Sequence, residues 1–218
     1  MTAGGSHVPI SPVGSEFIAS DRSNSGPGNA KRADLERRTA AYLDQLGDGI
    51  GRVDVTEVAA VTQRLVALSR RGGVGYVCGN GGSASTATHF ANDIQRTIAL
   101  GGPSGLRVQC LCDNIATVTA IANDYCYDEI FTRQLRNHLA PHDLVIGISS
   151  RGRSPNVVEA IRYARSRRVE TIGLVGYDGG DLRGLADCSV YIPVHDLRIV
   201  EDLHLAVCHM ISTLLLEA

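Results

Sequence analysis

Two helical segments of the chain carry histidine and carboxylate side chains at spacings that would let them bind a metal ion or transfer protons. His89 and Asp93 are four residues apart, which places both on one face of a helix. Glu201 and His209 are eight residues apart and also fall close to one helical face. Two imidazoles and two carboxylates can hold zinc or a similar divalent ion, or act as an acid–base pair. The spacing alone favours a plainer interpretation, in which these are polar groups on the surface or satisfied in the core.

A second signal is the sequence Ser-Ser-Arg-Gly-Arg-Ser-Pro-Asn at residues 149–156, which follows an apolar run and precedes a helix expected to begin near Pro155. Hydroxyl and guanidinium donors converge there on a helix start, which attracts anions through its free N–H groups and dipole. The turn has neither the GKS/T of a Walker loop nor the GxGxxG of a dinucleotide fingerprint. It therefore favours a small phosphorylated metabolite over a nucleotide, with a polar capped turn as the alternative.

A glycine-rich turn follows another apolar run and reads Cys-Gly-Asn-Gly-Gly-Ser-Ala-Ser at residues 78–85. Its glycines let the backbone approach an anion closely, and Ser83 and Ser85 offer hydroxyls at the start of the next helix. A tight turn with a helix cap explains the same residues equally well.

These turns belong to an alternating pattern of strands and helices. Five short apolar runs have the length of buried strands and are separated by helical patterns: Val74–Cys78, Leu106–Cys112, Leu144–Ile148, Thr171–Val175 and Val190–Val194. The alternation predicts an α/β fold with an open, mainly parallel sheet and helices on both faces. Because ligands bind beyond the carboxyl ends of such strands, the strand-to-helix turns are the expected binding sites.

The chain is expected to consist of a tail and one domain. Residues 1–30 are rich in Gly, Ser and Pro without periodicity and predict a flexible tail, which leaves 31–218 as the domain. Helical patterns begin at Lys31 and at Asp54, and a last helix is expected over Glu201–Leu216. His204 lies five residues before His209, off its face, and is interpreted as structural or as part of a subunit contact.

Composition excludes several classes of protein. The chain has 218 residues, 44% of them hydrophobic, and 21 basic against 23 acidic side chains give a net charge of -2. We therefore expect no nucleic-acid or membrane partner. No apolar run approaches the roughly 18–20 residues that span a bilayer, and a secretory pattern is absent, so a cytoplasmic location is expected. The six cysteines contain no CxxC pair and are interpreted as small buried thiols.

Five motifs occur in the order found in the phosphoheptose isomerases: GNGGSASTATHFANDI, TAIANDYCYDEIFTRQL, DLVIGISSRGRSPNVVEAI, GLVGYDGGDLRGLAD and VEDLHLAVCHMI. Over Lys31–Ala218 the chain resembles these sedoheptulose 7-phosphate isomerases, which have the sugar isomerase (SIS) fold. The resemblance implies a flavodoxin-like, three-layer αβα sandwich with five parallel strands. It also implies a cytoplasmic homotetramer with sites at subunit interfaces and a sugar phosphate as substrate. The implied reaction converts sedoheptulose 7-phosphate to D-glycero-D-manno-heptose 7-phosphate through an enediol.

The resemblance implies roles for individual residues as well. Asp93 is expected to be the base and His209 the acid near the carbonyl oxygen. Zinc or another divalent ion is expected on His89, Asp93, Glu201 and His209. The implied substrate-binding residues are Asn80, Gly81, Ser83, Asn123, Asp124, Ser149, Ser150, Arg151, Ser154 and Glu201.

Three departures from the family pattern leave the substrate open. Asp93 replaces a glutamate and is about 1.5 Å shorter, in a geometry where such shifts matter. Glu201 replaces a glutamine and is expected to strengthen metal binding. Arg151 and Arg153 depart from the family's serine-rich turn and are expected to contact phosphate, or instead to face a neighbouring subunit or partner. The alternatives are an isomerase of another ketose phosphate, such as an octulose 8-phosphate, a sugar-phosphate sensor, or a non-catalytic binding protein like the relative that engages the replication initiator DnaA.

Overall fold

The structure is a computed structural model that describes residues 27–217, so most of the tail expected over 1–30 lies outside the described residues. The chain divides into two units, Met1–Ala40 and Ala41–Ala218. The described part of the first unit belongs to helix α1 (Pro27–Ile50), which begins four residues earlier than predicted. On this helix Arg32 pairs with Glu36 at 2.8 Å, in an exposed ion pair of a kind that contributes little stability.

The second unit alternates strands and helices. Its strands are β1 (Val74–Gly79), β2 (Arg107–Cys110), β3 (Leu144–Ser149), β4 (Glu170–Val175) and β5 (Cys188–Tyr191). Its helices are α2 (Val55–Arg70), α3 (Gly82–Ala99), α4 (Ile115–Asp124), α5 (Ile130–His138), α6 (Pro155–Ser166), α7 (Gly180–Leu185) and α8 (Leu197–Leu215), with a 3-10 turn at Tyr127–Glu129. All strands pair in parallel, in the order β2-β1-β3-β4-β5. The predicted five-stranded parallel sheet is confirmed, and its order is the flavodoxin-like one.

Helices cover both faces of this sheet because its strands are apolar on both sides. In β1, Val77 belongs to the core on one face, whereas Tyr76 and Cys78 belong to the core on the other. Helices α2, α3 and α8 supply the first core, and α5 and α6 supply the second, through residues such as Leu65, Phe90, Leu203, Phe131 and Ile161. Full burial of one such side chain is worth about 1.5–3 kcal/mol. The predicted αβα layering is therefore confirmed.

Helix α8, which carries two of the candidate site residues, begins at Leu197 rather than at Glu201 as predicted. Asp196 sets this start, because its Oδ1 accepts hydrogen bonds from the backbone N–H groups of Arg198 at 2.9 Å and Ile199 at 3.1 Å. The extra turn places Glu201 inside the helix. Among residues 27–217, none of the helices is long and apolar enough to cross a membrane.

Two strands are shorter than their apolar runs. The paired residues of β2 are Arg107–Cys110, within the predicted Leu106–Cys112, and those of β5 are Cys188–Tyr191 instead of Val190–Val194. Pro193 has no N–H to offer to a ladder. An apolar run indicates which residues are buried, and burial extends beyond the residues whose backbones pair in the sheet.

The cysteines are free thiols, and the buried-thiol interpretation holds for only some of them. Cys78 and Cys208 are buried, and burial raises the pKa of both thiols. Cys126 is exposed, so the interpretation is wrong for this residue.

Candidate active site

The strands β1 and β3 are neighbours in the sheet, but the helices that follow them cover opposite faces. Such a reversal opens a crevice beyond the carboxyl ends of the two strands. The two turns identified in the sequence meet here, because the side-chain amides of Asn80 and Asn156 exchange two hydrogen bonds. Asn80 Nδ2 donates to Asn156 Oδ1 at 2.8 Å, and Asn156 Nδ2 donates to Asn80 Oδ1 at 2.9 Å.

The turn after β3, here called the serine loop (residues 149–154), ends at a helix start. Ser149 and Ser150 are buried, and the Oγ atoms of Ser149 and Ser154 lie 3.1 Å apart. Gly152 has φ +65°, a conformation that glycine adopts at low cost. Ser154 is the N-cap residue of α6 but makes no side-chain hydrogen bond to the helix. Two adjacent hydroxyls at a helix N-terminus suit a phosphate group.

The two arginines of the serine loop turn towards the segment that follows β4. The Arg153 guanidinium donates one hydrogen bond to each carboxylate oxygen of Asp178, both at 2.7 Å. These bonds hold the pKa of the Asp178 carboxyl well below its usual range. Arg151 lies with its guanidinium carbon 5.1 Å from the ring centroid of Tyr177. The structure thus places both guanidinium groups on the neighbouring segment.

The residues of the glycine-rich turn after β1 differ in how accessible they are from the crevice. Gly81 is exposed and caps α3 with φ +53°, a conformation that explains the glycine. Ser83 is only 4% exposed. It packs so closely that a Cβ on Gly79 would lie 2.8 Å from the Ser83 Cβ. Of the residues assigned to substrate in this turn, Asn80 and Gly81 are accessible and Ser83 is buried.

A histidine–carboxylate cluster joins α3 to α8. The Nε2 atoms of His89 and His209 lie 3.0 Å apart. The Oδ2 atom of Asp93 lies 3.3 Å from His89 Nε2 and 3.5 Å from His209 Nε2. Three of the four residues expected to bind metal are therefore brought together, with donor atoms all within 4.8 Å of one another.

Glu201 lies away from this cluster. Its carboxylate packs on Gly82, where an added Cβ would lie 2.4 Å from Glu201 Cδ. Glu201 precedes His209 by two helical turns, about 12 Å along the axis. Its carboxylate instead occupies the start of α3, where the helix dipole stabilises a negative charge. In this structure the expected four-residue set is a three-residue cluster with Glu201 beside the glycine-rich turn.

The three donor atoms fit a divalent ion. Ligands at about 2.0–2.1 Å around a tetrahedral zinc ion are about 3.3 Å from each other. The separations of 3.0, 3.3 and 3.5 Å between the three donor atoms lie around that value. Two imidazoles and one carboxylate also form the kind of set that leaves a fourth position for water or substrate.

Known proteins share this fold and these motifs. Residues 41–176 match the family model described as SIS domain. A phosphoheptose isomerase from Trichlorobacter lovleyi is 40% identical over 158 residues, which cover 72% of this chain and 80% of that protein. The chain belongs to the phosphoheptose isomerase family of SIS domains. It is also 38% identical to a phosphoheptose isomerase from Helicobacter pylori (strain Shi470), over 81% of this chain and 91% of that protein.

The similarity extends to a solved phosphoheptose isomerase structure. The enzyme from Neisseria gonorrhoeae has a TM-score of 0.77 and is 26% identical, over 84% of this chain and 99% of that one. The resemblance expected from the five motifs is thus confirmed for family and fold.

Within this phosphoheptose isomerase fold, two site residues were missed from the sequence. Asn156 is 1% exposed, and its Oδ1 also accepts the N–H of Val157 at 2.9 Å. Tyr127 donates its hydroxyl to Asn80 Oδ1 at 2.9 Å. The position of Asn156 directly after Ser154-Pro155 was a usable signal, because a polar residue in the first helical turn is suited to capping. The sequence around Tyr127 gave no comparable signal, because Tyr127 reaches Asn80 only through the tertiary fold.

Asn123 and Asp124 occupy the last turn of α4 and are exposed. The Asn123 amide donates to Asp124 Oδ1 at 2.9 Å. Because Tyr127 lies three residues further on and reaches Asn80, this segment borders the crevice. The substrate roles of Asn123 and Asp124 stay predictions.

His204 lies in the interior and not in the cluster. It is 1% exposed, and neither ring nitrogen hydrogen-bonds to another residue within the described range. Burial lowers the pKa of His204 to about 4. Of the two interpretations drawn from the sequence, a structural role or a subunit contact, the burial of His204 within the single chain agrees with the structural role.

Proposed function

We propose that this chain converts sedoheptulose 7-phosphate to D-glycero-D-manno-heptose 7-phosphate. The observation that carries the proposal is the cluster of His89, Asp93 and His209, at 3.0 to 3.5 Å, in a chain of the phosphoheptose isomerase family. An aldose–ketose isomerase needs a base and an acid within reach of two adjacent carbons. A carboxylate and an imidazole in contact supply both.

The serine loop is the proposed site for the phosphate group. Ser149 and Ser154 offer paired hydroxyls, and the start of α6 offers N–H groups and the positive end of the helix dipole. Asn80 and Gly81 border the same crevice and are proposed to contact the sugar. Holding both ends of the ketose in this way fixes the reacting carbons against the cluster.

The proposed chemistry moves one proton between carbons and one between oxygens. Asp93 removes a proton from C1 of the ketose, while His209 donates a proton to the carbonyl oxygen on C2, which forms the enediol. Asp93 then returns its proton to C2, and His209 takes the proton of the C1 hydroxyl, which leaves the aldehyde. General acid–base catalysis of this kind contributes about 10²–10⁴-fold to the rate.

We propose that His89, Asp93 and His209 would hold a divalent ion, zinc by its donor set, through Nε2, Oδ2 and Nε2. The proton transfers would then use the other ring nitrogen of His209 and the other carboxylate oxygen of Asp93. Such an ion, when bound, polarises a carbonyl oxygen as a Lewis acid. His89, for which no proton transfer is proposed, would serve to hold it. The carboxylate of Glu201, a residue of α8 that packs on Gly82 at the start of α3, is proposed to contact the substrate.

The proposal includes a cytoplasmic homotetramer with sites at subunit interfaces. An apolar groove of about 650 Å³ between α2 and α8 supports a subunit interface at the site, because His209 lies in its lining beside Val55, Met210 and Leu214. A second subunit in this groove would close the cluster from water. Light scattering on the purified chain tests the assembly, and a monomeric mass would contradict this part of the proposal.

The deciding experiment is a turnover assay on purified protein with sedoheptulose 7-phosphate, followed by NMR, with and without added zinc. We expect the aldoheptose 7-phosphate as product, and a chelator-treated sample should lose activity and regain it with zinc. Absence of product, with sugar-phosphate binding still detectable by calorimetry, would contradict this substrate. Longer ketose phosphates would then be assayed, and absence of turnover with those as well would leave a binding protein. Turnover that a chelator does not alter would contradict the metal alone.

A further inference from the structure

Backbone contacts dock the serine loop onto the segment at residues 176–182, here called the clasp segment. Gly176 N–H donates to the Ser150 carbonyl at 2.9 Å, and Leu182 N–H donates to the Gly152 carbonyl at 3.0 Å. The two segments touch where a Cβ on Gly152 would lie 1.9 Å from the Gly179 oxygen. The shape of the serine loop is therefore tied to the clasp segment.

Side chains reinforce this junction at two points. Arg153 and Asp178 form a two-bond ion pair, in which a planar guanidinium matches a carboxylate. Arg151 lies over Tyr177, whose φ of +51° is unusual for a residue other than glycine. Both side chains of the ion pair are 55% exposed. Such a pair adds little to global stability, so we expect its effect to be local.

We propose that Arg153 and Asp178 are positioning residues for the phosphate group. Their ion pair fastens the clasp segment to the serine loop and so pre-organises Ser149, Ser154 and the start of α6. Asp178 then strengthens binding of a phosphate that it does not touch. This inference rests on the proposed phosphate site of the serine loop.

A positioning role for the ion pair and direct contact of Arg153 with phosphate predict opposite changes in phosphate affinity when the Asp178 charge is removed. If Arg153 were a phosphate ligand, Asp178 would compete with phosphate for it and repel the anion. Removing the Asp178 charge would then tighten phosphate binding. If the pair is a clasp, the same change loosens the serine loop and weakens binding, because ordering must then occur on binding.

The test compares Asp178→Asn, Arg153→Gln and the double variant with Glu159→Gln. Glu159 is a matched control, since it forms an exposed ion pair with Arg162 on α6, outside the loop. Inorganic phosphate and sedoheptulose 7-phosphate are titrated by calorimetry, and kcat and KM are measured separately. Hydrogen–deuterium exchange over residues 149–154 is followed on the ligand-free protein.

We expect both single variants to raise Kd and KM about tenfold with kcat within about twofold, and to speed exchange in the serine loop. The double variant should be no worse than either single one, because the two side chains act as one unit. Tighter phosphate binding by Asp178→Asn, or unchanged binding and exchange, overturns the inference. If the unaltered chain binds no phosphate, the proposed function fails, and the exchange rates still decide whether the clasp exists.

Discussion

The Nε2 atoms of His89 and His209 face each other at 3.0 Å, although the two residues are 120 positions apart in the chain. Two neutral imidazoles can make this contact only if one donates its proton and the other accepts it. Two protonated rings would repel, and Asp93 is the carboxylate that can offset one positive charge. The three donor atoms of the cluster therefore suit the divalent ion proposed above, with Asp93 as the group that offsets its charge.

Replacement of His209 by Ala is expected to lower kcat by about 10²–10⁴-fold, because it removes the proposed acid. The side chain is half exposed in the single chain, so thermal unfolding should hardly change. The apolar residues that line the groove are unaltered, so the oligomeric mass should hardly change either. His142→Ala, at an exposed position outside the cluster, is the control and should keep full turnover. Undiminished turnover in His209→Ala would remove this residue from the mechanism.

Replacement of Asp93 by Asn keeps the shape of the side chain and removes its charge. We expect kcat to fall by about 10²-fold or more, and zinc affinity to fall as well, because an amide is a poorer base and a poorer ligand. Asp93→Glu keeps the carboxylate and should retain more activity than Asp93→Asn. Equal activity of the two variants in the turnover assay would show that no carboxylate is needed there.

The local part of the site could be predicted from sequence, and the part made by tertiary contacts only partly. His89 and Asp93 share a helical face because residues four positions apart are neighbours on the surface of any helix, so the spacing alone predicts their proximity. The contact of His209 with both depends on how α3 and α8 pack, which spacing does not report. The same limit explains Glu201, whose carboxylate lies on Gly82 instead of beside His209.

The fold itself was more predictable than its details. Buried parallel strands read as apolar runs, and their alternation with helices is enough to predict the sheet and its layers. The predicted start of α8 was four residues too late, because Asp196 was not recognised as the N-cap residue of this helix. The partner of Arg153 could not be predicted, since Asp178 follows a different strand and meets the serine loop only in the folded chain.

Replacement of Ser154 by Ala is expected to raise KM for sedoheptulose 7-phosphate by about ten- to hundredfold, with kcat nearly unchanged. A hydrogen bond to a charged group is worth about 1.5–3 kcal/mol, and this variant deletes one donor at the helix start. Ser166→Ala at the other end of α6 is the control, because its hydroxyl donates to the Tyr163 carbonyl far from the serine loop. An unchanged KM for Ser154→Ala would place the phosphate elsewhere.

The buried His204 is expected to make stability fall as the pH drops below about 6.5. Its pKa is lowered to about 4 in the folded chain, so between these values the unfolded chain binds a proton that the folded chain does not. The free energy of unfolding should therefore decrease by about 1.4 kcal/mol per pH unit, about 3 kcal/mol in all by pH 4. Carboxylates contribute their own slope, so the quantity to compare is the difference between the unaltered chain and His204→Leu in denaturant unfolding. That difference should change steadily from pH 6.5 to 4, and a constant difference would mean that the ring takes up its proton equally in both states.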